Sequence, residues 1–154
     1  MAHQLVGQRL QNKGWSSMLL NDKRIFIVED NVNNYAIMAT ILQQQGAHTG
    51  YERWGQDTIQ RLNAFMPIDL ILLDLMFPNG VTGYDIFDHI RQDASFSNIP
   101  IVAVTAADPA TELPKTRRKG FAAFISKPVR LGIFERQILA VLEGQADWNW
   151  DNLS

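Results

Sequence analysis

The sequence predicts an α/β fold: an open, doubly wound parallel sheet with helices on both faces. Three observations carry this. Short apolar runs recur along the chain, each of strand length and apolar at every position rather than at alternate ones. Amphipathic stretches with helical spacing separate them. Glycine or proline closes most of those stretches. A strand that is apolar on both sides is buried on both faces, which is the habit of parallel sheets. Regular βα alternation supplies the crossover helices such a sheet needs.

The elements run in order. Ile25-Phe26-Ile27-Val28 is the first strand. Residues 33–45 place Tyr35, Met38, Ala39, Ile41 and Leu42 on one helical face, and Gly46 stops the helix. A weaker strand falls within 47–53. Residues 56–66 carry Ile59, Leu62, Phe65 and Met66 before Pro67. Leu70-Ile71-Leu72-Leu73 is the next strand, and residues 83–92, with Tyr84, Phe87 and Ile90, the next helix. Ile101-Val102-Ala103-Val104 comes after it. Residues 108–119 should be helical by position, but Pro114 falls inside, so the expectation is a helix that is short, kinked or shifted toward 114–119. Phe121–Ile125 is the last strand. Residues 129–143, with Phe134, Ile138, Val141 and Leu142, form the last helix before Gly144. Residues 1–22 and 145–154 lie outside the repeat. Ordered packing is expected of the first and flexibility of the second.

A chain of 154 residues, 46% hydrophobic and 19% charged, fits one domain with a sizeable core. Its net charge of −2 gives no basic field for nonspecific nucleic-acid binding. The absence of cysteine removes disulfides, thiolate zinc sites and cysteine nucleophiles. No apolar run approaches a membrane span, and the N-terminus has no signal-peptide core. The expected location is the cytoplasm, with neither membrane nor nucleic acid as a direct partner.

The chemistry sits immediately beyond the strands. Val28 is succeeded by Glu29 and Asp30, Leu73 by Asp74, Val104 by Thr105, and Ile125 by Ser126, Lys127 and Pro128. Parallel strands end at one shared rim, where open α/β sheets bind ligands. Three carboxylates, a hydroxyl and an ammonium thus converge from distant stretches of chain. Carboxylates so placed repel one another, and a hard divalent cation such as Mg²⁺ relieves the repulsion. The same cation would neutralise the oxygens of an incoming phosphoryl group. Asp74, at the centre, is a suitable nucleophile for one.

In this order and spacing, Val28-Glu29-Asp30-Asn31, Leu72-Leu73-Asp74-Leu75-Met76-Phe77-Pro78, Val104-Thr105-Ala106 and Ser126-Lys127-Pro128 resemble the receiver domain of two-component response regulators. The resemblance spans about residues 23 to 143. It implies a flavodoxin-like (βα)5 sheet in strand order 2-1-3-4-5, with residues 1–22 as an N-terminal extension, 23–143 as the receiver domain and 144–154 as a C-terminal tail. It implies that Asp74 accepts a phosphoryl group from a sensor histidine kinase or phosphotransfer protein. The implied metal ligands are Asp30 directly, Glu29 through water, Asp74, and the Met76 carbonyl. Thr105 takes the role of the switch hydroxyl, Lys127 that of the phosphoaspartate's partner, and Phe124 the aromatic switch position. Pro128 would follow a cis peptide bond. The output would be protein contact with an unidentified target, from a signalling protein rather than an enzyme. Homodimerisation on phosphorylation stays open.

Some residues depart from the family pattern. The loop after Asp74 is slightly long. Met76 and Ala107 cannot orient a hydrolytic water, so slow self-dephosphorylation is expected. Phe124 has no hydroxyl, so any switching there must work through packing. Taken singly, Asp30 and Asn31 are good helix N-caps, Lys127 is an ordinary surface lysine and Arg117-Arg118-Lys119 a solvated helix end. His3, His48 and His89 have no metal-ligand spacing. No phosphate-binding glycine loop or Gly-x-Ser-x-Gly elbow is present. Two other readings remain: a receiver-like adaptor that is not phosphorylated, and an aspartate-nucleophile phosphohydrolase. The second is weakened because Met76 stands where such enzymes carry a second aspartate.

Overall fold

The computed structural model describes residues 18–148. Five parallel strands, β1 (Arg24–Val28), β2 (His48–Glu52), β3 (Leu70–Leu73), β4 (Ile101–Thr105) and β5 (Ala123–Ser126), lie in the order β2-β1-β3-β4-β5. This is the flavodoxin-like order expected. Five helices connect or succeed them: α1 (Val32–Gln44), α2 (Thr58–Phe65), α3 (Gly83–Gln92), α4 (Pro109–Lys119) and α5 (Phe134–Leu142).

The strand sequences are continuously apolar because the sheet divides two cores. Ile25, Ile27, Leu70, Leu72, Val102, Val104, Ala123 and Ile125 join α1 and α5 residues in one cluster. Phe26, Val28, Ile71, Leu73, Ile101, Ala103 and Phe124 join α2 and α3 residues in the other. Successive side chains alternate between the two faces, as strand geometry requires. β2 is the weak one because it is an edge strand, and His48 at its start is exposed.

Local signals set the helix ends. The Asn31 side chain accepts from Asn34 N–H at 3.0 Å and caps α1. Thr82 and Asp85 form a reciprocal capping box on α3. Two helices differ most from expectation, and β5 begins at Ala123 rather than Phe121. α4 begins at Pro109 and runs through Pro114 to Lys119. Pro109 sits at its first position and Asp108 caps Ala110 N–H at 3.1 Å, so the start is well formed. Pro114 deletes only the bond to the carbonyl four residues back. α5 begins at Phe134, not 129. Gly132, at φ +89°, is outside right-handed helical space, and Leu131 is exposed.

Of the described parts of the flanks, the first is packed in line with expectation and the second departs from it. Leu20 is fully buried and its N–H donates to the Gln45 carbonyl at 3.0 Å. Trp148, placed by sequence in a flexible tail, is packed against the second core. Lys119, read as part of a solvated helix end, pairs with Asp88 at 2.9 Å. The expectations for residues 1–17 and 149–154 lie outside the described residues.

Candidate functional site

The strand ends deliver their polar residues to one rim. Glu29 and Asp30 come directly after β1, and Asp74 directly after β3. Ligand oxygens of these three carboxylates lie within 4.8 Å of one another. Lys127, just beyond β5, reaches across β4 to join them. Its Nζ donates to Glu29 Oε2 at 2.6 Å and to Asp74 Oδ2 at 2.8 Å. Glu29 is 1% exposed and Asp74 6%, so these are interior ion pairs with little solvent screening.

Backbone donors complete the bonding. Asn31 N–H donates to Glu29 Oε1 at 3.2 Å, and Met76 N–H to Asp74 Oδ1 at 3.3 Å. Burial pushes the Glu29 carboxyl above the usual carboxylate range. Lys127 opposes this and Asp74 adds to it, and the balance stays upward. Burial pulls the Lys127 ammonium down, but its bonds to Asp74 and Glu29 outweigh that and hold it above its ordinary value.

The other expected site residues do not join these ion pairs. Thr105 is fully buried at the end of β4. Its hydroxyl accepts from Ala107 N–H at 3.2 Å, and its carbonyl accepts from Lys127 N–H at 2.9 Å. Phe124 is buried in the second core rather than at the rim. The Met76 side chain is 62% exposed. The Lys127–Pro128 peptide bond is cis. Asn31, not Asp30, caps α1, which leaves the Asp30 carboxylate available at the rim.

Several residues that shape the site gave no sequence signal of their own. Tyr51 Oη donates to the Glu29 carbonyl at 2.8 Å, and its ring stacks on Tyr35 at 3.7 Å. Arg53 Nε donates to the Asp30 carbonyl at 3.0 Å. Gly83 starts α3 against the loop that carries Asp74. A Cβ there would lie 2.2 Å from the Asp74 carbonyl oxygen and 2.7 Å from Leu75 Cα. A glycine before a helix is common punctuation, and only the fold reveals this close approach.

Three carboxylates face a single ammonium, so the rim keeps a net negative charge that suits a hard divalent cation. The donor set fits Mg²⁺: it offers oxygen ligands only, and the Asp30 carboxylate is half-buried and bonded to no donor or cation among the described residues. No helix of the described residues is long and apolar enough to cross a membrane.

Comparison with known proteins adds to this geometry. The model of the response regulator receiver domain family matches residues 25–138. The polar-differentiation response regulator DivK of Brucella ovis is 31% identical over 120 residues, covering 78% of this chain and 96% of that protein. The non-phosphorylated HemR receiver domain of Leptospira biflexa superposes with a TM-score of 0.68 at 26% identity, covering 79% of this chain and 94% of that one. A CheY-like receiver domain protein from Methanospirillum hungatei gives a TM-score of 0.71 at 20% identity, covering 81% and 97%. This last likeness is one of fold alone.

Proposed function

From the premise that this chain belongs to the response regulator receiver domain family, we propose that it is a phosphoacceptor switch of a two-component relay with Asp74 as the acceptor. The observation that carries the reading is Lys127 bridging Glu29 and Asp74 beside Asp30, whose carboxylate has no partner among the described residues. The donor is a phosphohistidine on a sensor kinase or phosphotransfer protein. An Asp74 carboxylate oxygen attacks phosphorus, the phosphorus–nitrogen bond breaks, and the imidazole leaves with the electron pair. Bound Mg²⁺ supplies charge neutralisation for the phosphoryl oxygens. It would be held by Asp30, Asp74 and the Met76 carbonyl, with Glu29 acting through water.

The chain's own residues do the rest. Lys127 already sits 2.8 Å from Asp74 Oδ2 and offsets the added negative charge. The Thr105 hydroxyl gives up the Ala107 N–H and donates to a phosphoryl oxygen. Phe124 then repacks and changes the surface formed by α4, β5 and α5. A partner shifts this equilibrium only by its differential affinity for the two states. Val32, Ile37 and Met76 are each about half-exposed or more, and Ile37 lines a small pocket with Lys127 and Pro128. They form an apolar rim on which the donor protein can seat. The aliphatic Met76 and Ala107 side chains cannot guide water, so the acyl phosphate is long-lived. We place the protein in the cytoplasm.

The test is a small-molecule phosphodonor with Mg²⁺, read by intact mass. The expected result is one phosphoryl group per chain, lost in Asp74→Asn. Continued stoichiometric labelling of that variant would assign the acceptor elsewhere. No labelling of the unmodified chain would favour a phosphate-independent adaptor.

A further inference from the structure

α4 is thinly anchored. Thr116 is its one buried residue, and Leu113 only leans on the second core. Polar latches tie it to α3: Tyr84 Oη donates to Glu112, and Lys119 pairs with Asp88. A helix with so little apolar cover depends on lateral contacts to stay in place.

The segment after α5 supplies such a contact. Gly144, at φ +70°, ends α5 in a left-handed turn, and Gln145 N–H donates to the Ala140 carbonyl at 2.8 Å. The chain then changes sides. Ala146 packs against the core shared by α1 and α5, whereas Trp148 packs against the opposite core. Those cores are divided by the sheet, and β5 is its edge strand. Residues 145–148 therefore pass from the α5 side of the sheet to the α4 side. On the far side, Arg117 from the last turn of α4 lies over the Trp148 ring, 5.8 Å from its centroid.

We propose that residues 145–148 are an intrachain strap. It links the end of α5 to α4 and pins the C-terminal turn of α4 through Trp148 and Arg117. A partner that grips the C-terminal turn of α4 must first displace Trp148. The strap does not depend on phosphorylation, and its test uses none.

The experiment is amide hydrogen exchange on the full chain, unmodified and as Trp148→Ala, Trp148→Phe, Arg117→Ala and the Trp148→Ala/Arg117→Ala double variant. Loss of the contact should speed exchange of α4 amides roughly fivefold to tenfold, with β1 and β3 amides unchanged. Trp148→Phe should fall between the unmodified chain and Trp148→Ala. The double variant should exchange no faster than the faster single variant, because both remove one shared contact. α4 exchange unchanged in Trp148→Ala would overturn the strap. So would a uniform rise across all strands, which reports global loss of stability, or full additivity of the two substitutions.

Discussion

The Asp30 carboxylate shares a 4.8 Å cluster with Glu29 and Asp74, yet Lys127 bonds only the latter two. In the metal-free protein it therefore repels two neighbours without compensation. Asp30→Asn is expected to raise the unfolding free energy in EDTA by about 1 kcal/mol, while weakening Mg²⁺ binding at least about tenfold. Urea unfolding and an Mg²⁺ titration on the same preparations check both halves. A second consequence concerns Glu29, whose carboxyl is held above its ordinary value of 4.5, chiefly by burial. For a group raised on folding, the stabilisation is fully present below the unfolded value and fades as pH rises through the folded one. The metal-free fold should thus lose stability as pH climbs from 4.5 through the raised value. Mg²⁺ affinity should run oppositely and weaken on acidification. Urea midpoints in EDTA against pH, compared with Glu29→Gln, isolate the effect, since the variant has no proton to lose.

At the scale of elements, the approach of α3 to the loop that carries Asp74 is the tightest constraint on the site. Gly83→Ala would drive a Cβ into the Asp74 carbonyl and the Leu75 backbone, neither of which can swing aside. The expected cost is roughly 1–3 kcal/mol of stability, with weaker Mg²⁺ binding because the loop carrying Asp74 must move. Thermal melts and metal titration of the variant report the two effects. Elements whose identity rests on local chemistry were legible beforehand. Continuous apolar runs marked four strands, and charged or hydroxyl residues just after them marked the rim. What stayed hidden depends on contacts between distant segments. Pro114 argued against a full α4 because its sequence does not show how well Asp108 and Pro109 start the helix. Residues 129–133 carried apolar side chains that read as helix, and only the left-handed Gly132 shows otherwise. The division of labour between Asp30 and Asn31 was equally unreadable, since either side chain can cap a helix.

For the molecule as a whole, the acidic rim is a built-in weakness that a bound cation would convert to strength. A ligand at a hundred times its dissociation constant adds about 2.7 kcal/mol when it binds only the native state. Mg²⁺ at that level should raise the melting temperature over EDTA, and Asp30→Asn should lose most of the gain. No shift in the unmodified chain would rule out a stabilising role for the cation. The rim also has a temporal order written into it. Lys127 stands 98 positions after Glu29 and 53 after Asp74. On the ribosome, both acids emerge long before the lysine and before the strand that carries it. A nascent chain stalled ahead of residue 127 holds Asp74 without its counter-ion. Assembly of the complete rim is therefore reserved for polypeptides whose synthesis has passed the last strand.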